Sequence, residues 1–272
     1  MKLFTKTCAF GLSLVSFSAA PAALVSVTQS TTGGTAVNAN APQIEPGFLI
    51  NESYAYNNRT HEITAARFDP GTNLLATSNV NTTLLQFPTY LTNAQWVANA
   101  NENRAAGIAN DAFSYTVTYS VNTAGTAYLL LDNRLNGSGS AVNSPNTTDP
   151  DLGGSLAWVI NDGWIRRDTG IKPPGGSGDY VGVDEGNSVA TPNLRTHTAP
   201  GLVAGSGEGL NNFYAIYSKN IPGPGNFVTR STALTTSGGN MYVVAFASVP
   251  EPTASLLGAL AVGLLASRRR RI

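Results

Sequence analysis

The sequence predicts an all-β chain, a β-sandwich or jelly-roll-like domain set between two short apolar terminal segments. Three observations carry that expectation. Short runs rich in aromatic and β-branched residues recur through the middle of the chain, separated by Gly, Pro, Asn and Asp clusters. One of them, "FSYTVTYSV" from Phe113 to Val121, alternates strictly between large apolar and small hydroxylated residues. A single stretch, "TNAQWVANANENRA" from Thr92 to Ala105, offers a helix instead.

The elements follow in order. Residues 1–23 have the charge and apolar pattern of a secretory signal peptide: Lys2 and Lys6, an uncharged run from Thr7 to Ala20, then small residues. Ala20-Pro21-Ala22 is an A-x-A cleavage site, and Ala23 is an equal alternative end. Residues 24–46 are Ser, Thr, Gly, Ala and Asn with few large apolar side chains, so they are read as a flexible leader. Residues 47–248 form the β-domain.

Within that domain Phe113, Tyr115, Val117, Tyr119 and Val121 share one buried face, with Ser114, Thr116, Thr118 and Ser120 opposite. "TAYLLLD" follows a turn around Asn122 to Gly125 and reads as the partner strand of a hairpin. Later strands are expected at Leu156 to Ile160, Trp164 to Arg167, Asn212 to Ser218, Phe227 to Ser231 and Met241 to Ala247. Long loops are expected from Asn136 to Gly154 and from Gly170 to Pro200.

Charge and chemistry exclude some functions. Without its ends the body carries ten basic against fifteen acidic residues, a net charge of −5. Such a surface repels phosphate backbones, and nucleic acid is not an expected partner. The one cysteine, Cys8, lies in the signal peptide, which leaves the mature chain without a thiol. His61 and His197 have no second histidine at metal-ligand spacing. No G-x-S-x-G or Ser-x-x-Lys motif occurs. "GSGEG" at Gly205 to Gly209 lacks the Lys-Ser/Thr of a phosphate loop.

No catalytic residue, metal ligand set or cofactor is assigned. A structural calcium ion is the one cofactor considered. Asp149 and Asp151 open a "DPDLGG" loop, but its twelfth position is Ile160 where a bidentate Glu is needed. Asp179, Asp184 and Glu185 make a second acidic cluster. Glu45, Glu52, Glu62 and Asp132 are further carboxylates, yet sequence spacing places no two of them across a cleft.

"WVINDGWIRR" is the candidate glycan-binding stretch. Asn161-Asp162-Gly163 signals a hairpin turn, which would set Trp158 opposite Arg167 and leave Trp164 on the other face of the ribbon. Trp158, Asn161, Asp162 and Trp164 would then supply ring faces and hydroxyl-binding groups for a sugar. The alternative is that the tryptophans are core, with a cation–π contact to Arg167.

The C-terminal residues 249–272 combine three signals. Pro250-Glu251-Pro252 is followed by an uncharged apolar run from Thr253 to Ser267 and by Arg268, Arg269, Arg270 and Arg271. As a helix that run spans roughly 22 Å, short of a hydrocarbon core of about 30 Å. The arginines resist translocation and stop transfer, so the tail suits temporary anchoring. This arrangement resembles a PEP-CTERM sorting signal with a C-terminal apolar sorting helix. The resemblance implies a membrane-embedded exosortase-type protease and the export machinery as partners. It also implies transient inner-membrane anchoring, cleavage near the motif, and delivery to the cell surface or extracellular matrix. The expected role is a non-catalytic, exopolysaccharide-associated matrix or envelope component. The second reading is a secreted polysaccharide-active enzyme or a carbohydrate-binding accessory module.

Overall fold

Alternating and fully apolar runs fold into an all-β, sandwich-like domain. The computed structural model describes residues 23–34, 36–37, 41–47, 55–57, 61–76, 81–107, 111, 113–135, 149–184, 210–232 and 241–249. These belong to one compact unit, Ala22–Val249. The signal peptide through residue 22 and the tail from Pro250 onward lie outside the described residues. No helix among the described residues is long and apolar enough to cross a membrane.

In chain order the strands are β1 (Leu24–Thr31), β2 (Gln43–Glu45), β3 (Glu62–Ala65), β4 (Arg67–Asp69), β5 (Leu74–Leu75), β6 (Thr83–Leu84) and β7 (Gln95–Ala98). They continue as β8 (Tyr115–Val121), β9 (Gly125–Asp132), β10 (Ile165–Arg166), β11 (Tyr180–Asp184), β12 (Leu210–Ile221), β13 (Gly225–Arg230) and β14 (Val243–Ser248). Two one-turn helices, α1 (Thr89–Thr92) and α2 (Trp158–Asn161), sit between them. A three-stranded sheet runs β1–β8–β13, and a larger one runs β2–β7–β14–β9–β12–β11–β3 with β10 added to β12. A small sheet, β5–β4–β6, is separate.

The two main sheets meet through aromatic side chains. Phe227 of β13 stacks on Tyr119 of β8 at 4.8 Å and on Phe246 of β14 at 6.4 Å. The Thr229 hydroxyl lies 2.7 Å from that of Tyr242 and donates to the Tyr119 hydroxyl at 3.3 Å. These buried hydroxyls are therefore satisfied, which burial requires of them. Fully burying each large apolar side chain contributes roughly 1.5–3 kcal/mol.

The alternation in β8 holds from Tyr115 onward. Tyr115, Val117, Tyr119 and Val121 are buried, whereas Thr116, Thr118 and Ser120 are half-buried. Phe113 departs from it, being 67% exposed while Ser114 is 1% exposed. The cause is a local turn. Asp111 accepts the Phe113 amide on its side chain at 2.9 Å and the Ser114 hydroxyl on its carbonyl at 2.7 Å. That turn rotates Phe113 out of the strand before pairing begins. Phe113→Ser is accordingly expected to change stability by about 0.5 kcal/mol or less, measured by urea denaturation.

Four expectations are corrected. β8 and β9 do not form a hairpin, because β9 lies in the larger sheet between β12 and β14. Its apolar run is buried on both faces, which suits an interior strand, so the Asn122–Gly125 turn is an arch between sheets. Gly125 permits the arch, since a Cβ there would run into the Ala247 carbonyl and the Phe246 ring.

The expected leader carries β1 and β2. β1 buries little but pairs with β8 from Leu24↔Val121 to Thr31↔Tyr115, and main-chain hydrogen bonding with one solvated face tolerates its polar composition. The expected helix at Thr92 to Ala105 is instead strand β7 followed by a 3₁₀ turn, Asn101–Ala105. β7 fills the gap between β2 and β14, where Trp96, Val97 and Ala98 are buried. The expected strand at Leu156 to Ile160 is helical, a 3₁₀ turn Gly154–Leu156 running into α2.

The two ends of the described domain meet at the same arch. Ala23 and Leu24 each donate their amide to Gln95 Oε1 at 2.8 Å, and Ala23 accepts the Asn122 amide at 2.9 Å. Val249 donates its amide to the Ala124 carbonyl at 3.0 Å. Residue 23, placed in the signal peptide by the sequence reading, is thus built into the domain. The β12–β13 turn lies beside this arch, because Ile221 pairs with Gly125 and Gly225 with Val121.

Candidate functional site

A groove of about 680 Å³ opens where α2 meets the β12–β13 turn. The turn sequence Ile221-Pro222-Gly223-Pro224-Gly225 sets its shape: two prolines fix φ, and Gly225 takes a φ of 154°. Lys219 at the end of β12, Arg230 at the end of β13 and Asp162 after α2 supply its charges, and buried Phe227 lies beneath. Asn220 and Asn226 add exposed amides.

Arg230 Nε donates to Asp162 Oδ2 at 3.1 Å, and both side chains keep about a quarter of their surface in solvent, 23% and 25%. The terminal nitrogens of Arg230 make no hydrogen bond among the described residues. The guanidinium also lies 4.5 Å from the centre of the exposed Phe113 ring. Lys219 has no carboxylate partner among the described residues. Two cations thus face one acid here, on a body whose overall charge is negative.

At the end of β10, Arg166 and the following Arg167 point to different aromatic partners, Tyr180 and Tyr217 for the first and Tyr90 for the second. Arg166 grips Asp149 through Nε at 3.1 Å and Nη2 at 3.0 Å, and its Nη1 donates to the Asp179 and Ile216 carbonyls at 2.6 and 3.0 Å. Its guanidinium lies 4.6 Å over the Tyr180 ring and 5.6 Å from that of Tyr217. Ser177 and Tyr180 donate their hydroxyls to the same carboxylate. Arg167 instead lies 5.1 Å over Tyr90, which stacks on Tyr128 at 5.0 Å.

The carboxylates in this region are held ionised. Burial alone would raise the Asp149 carboxyl, but the hydrogen bonds and charge of Arg166, with Ser177 and Tyr180, hold it below the usual carboxylate range. Asp179 is likewise depressed against burial, by the Thr169 amide and hydroxyl, the Tyr90 hydroxyl and the Ile171 amide. Burial pushes the Tyr180 hydroxyl up, and donation to Asp149 adds to that.

The sequence-predicted glycan residues separate. Trp158 and Trp164 are core, each 3% exposed. Trp158 donates Nε1 to the Ser231 carbonyl at 3.2 Å and meets Tyr242 edge-on at 6.0 Å, while Trp164 meets Phe227 edge-on at 6.2 Å. The expected hairpin is replaced by α2, Gly163 at a φ of 83° and the two-residue β10. That turn folds both indoles inward, so neither offers a face to a sugar. Asn161 is exposed, and of the four only Asp162 lines the groove. Lys219, Arg230 and Phe113 escaped the sequence reading. A usable signal was there: a Pro-Gly-Pro-Gly turn flanked by two of the body's ten basic residues.

The acidic loop residues are engaged elsewhere. Asp149 is neutralised by Arg166, Asp151 accepts the Gly153 amide at 3.0 Å, and Asp179 is saturated by the donors named above. Glu185 lies outside the described residues, as does the side chain of Asp184. Among the described residues no group of three or more His, Cys, Asp and Glu could hold a metal ion.

No family model and no curated protein matches the chain. Among solved structures it is similar to a β-glucuronidase from glycoside hydrolase family 2, at 12% identity and a TM-score of 0.42. The alignment covers 81% of this chain and 14% of that enzyme.

Proposed function

We propose that this chain is an exported protein of the cell surface or extracellular matrix, processed through its C-terminal tail, with a non-catalytic body that associates with exopolysaccharide. The observation that carries the reading is the three-part sequence of the tail: Pro250-Glu251-Pro252, fifteen uncharged residues, then Arg268 to Arg271. Its apolar run is short for a permanent span, and its arginines oppose outward escape. A signal peptide starts export, the tail pauses it at the inner membrane, and an exosortase-type protease cuts near the prolines. The prolines hold that stretch extended, the shape a protease groove accepts.

Two carboxylates of the body serve its fold. Asp149 and Asp179 are both held below the ordinary carboxylate range by their hydrogen-bonding partners. Their donors are main-chain amides, hydroxyls and an arginine that tie loops to the sheet, which is a structural use.

Intact-mass measurement of the protein recovered from the cell surface tests the sorting step. The expected mass lacks Arg268 to Arg271, and the protein fractionates with exopolysaccharide. A full tail on the surface protein, in cells with an active exosortase, would make the tail an anchor instead.

A further inference from the structure

The groove between α2 and the β12–β13 turn has the chemistry of a ligand site that the tail does not explain. We propose that it binds an anionic sugar unit, a pyranose carrying a carboxylate or sulfate, as part of an acidic exopolysaccharide. The proposal gives the polymer class to the exopolysaccharide association above and rests on that reading for its biological setting.

The charges point to an anion. Lys219 and Arg230 face one acid, Asp162, so the groove is locally positive on a body with a net charge of −5. Asp162 occupies only Arg230 Nε, at 3.1 Å. It therefore orients the guanidinium while leaving its terminal nitrogens to a ligand. Such nitrogens can meet a carboxylate or sulfate through two parallel hydrogen bonds. Lys219 adds a second donor from β12.

The rest of the lining, and Phe113 outside it beside Arg230, point to a sugar ring. Phe113 exposes 67% of its surface next to Arg230, and nothing in the packing of β8 requires a large apolar residue there. An exposed ring beside polar groups gives the C–H face of a pyranose a platform, while Asn220 and Asn226 offer amides to hydroxyls. Pro222 and Pro224 stiffen the wall, which lowers the ordering cost of binding. At about 680 Å³ the groove accommodates one or two rings of a chain that continues past it.

Affinity electrophoresis of the purified exported protein tests this, with polygalacturonate, dextran sulfate or neutral dextran cast in the gel. Polygalacturonate or dextran sulfate should retard the protein, neutral dextran should not, and the stronger of the two acidic arms identifies the anion. Lys219→Gln and Arg230→Gln should each weaken retardation about tenfold, and Phe113→Ala several-fold. Lys219 has no carboxylate partner among the described residues, so Lys219→Gln reports on binding even if Arg230→Gln perturbs the fold. Equal retardation by neutral dextran, or unchanged retardation of Lys219→Gln, would overturn the proposal.

Fractionation of cells separates the two readings. If the protein and its Lys219→Gln variant enter the exopolysaccharide fraction equally, the matrix reading stands and the groove is overturned. If the protein is absent from that fraction yet binds polygalacturonate through Lys219, the groove stands and the matrix reading falls.

Discussion

Replacing Arg166 with methionine is expected to destabilise the domain by about 3 kcal/mol, the low end of what removing one partner of a buried pair costs. The low end applies because the pair keeps some water, with Arg166 and Asp149 side chains 16% and 24% exposed. The loss is more than an ion pair. Arg166 also donates to the carbonyls of Asp179 and Ile216, and methionine leaves each of them with its main-chain donor alone.

The pH dependence has a definite sign. Asp149 and Asp179 have folded-state pKa values below their unfolded ones. Their contribution is therefore fully present above the unfolded value of roughly 3.9 and is lost as pH falls through the folded values. Urea midpoints should fall steeply below about pH 4, and Asp179→Asn should flatten that limb while lowering stability at neutral pH. A midpoint for Arg166→Met equal to that of the parent protein would show that the pair is energetically idle.

Trp158→Ala is expected to cost about 4 kcal/mol, because the indole is enclosed between Tyr242 and the β13 end and leaves a cavity the sheets cannot close. Trp164→Ala should cost a similar amount through its contact with Phe227. Asn161→Ala, on the exposed side of the same turn, should stay within about 0.5 kcal/mol. Urea denaturation separates these values directly. If Trp158 were a sugar platform, its removal would abolish glycan binding and leave the urea midpoint alone, the reverse of this expectation.

The pattern of outcomes has a physical basis. Period-two alternation is a local property, so Tyr115, Val117, Tyr119 and Val121 could be assigned to one buried face from the sequence alone. The existence of β12, β13 and β14 was legible for the same reason, as was the all-β class. Charge arithmetic and the triple signal of the tail also need no third dimension.

What the sequence could not express is which strand edges meet. "TAYLLLD" looks like a hairpin partner for β8 because it follows a turn, yet a run buried on both faces belongs inside a sheet with a neighbour on each side. The tryptophans of "WVINDGWIRR" read as core or as ring platform, with core the favoured reading. Only the one-turn helix at Trp158–Asn161 and the hydrogen bond from Trp158 to Ser231 turn them inward. Polar β1 was unreadable as structure because its ordering comes from main-chain pairing with β8, 84 residues away at Thr31↔Tyr115 and 97 at Leu24↔Val121. Asp162 and Phe113 reach Arg230 from segments distant in the chain, and no local pattern records that meeting. Sequence by itself determined the all-β class and the alternating face of β8. Tertiary structure alone decided sheet membership, the fate of the tryptophans and the groove, because each depends on contacts between residues far apart in the chain.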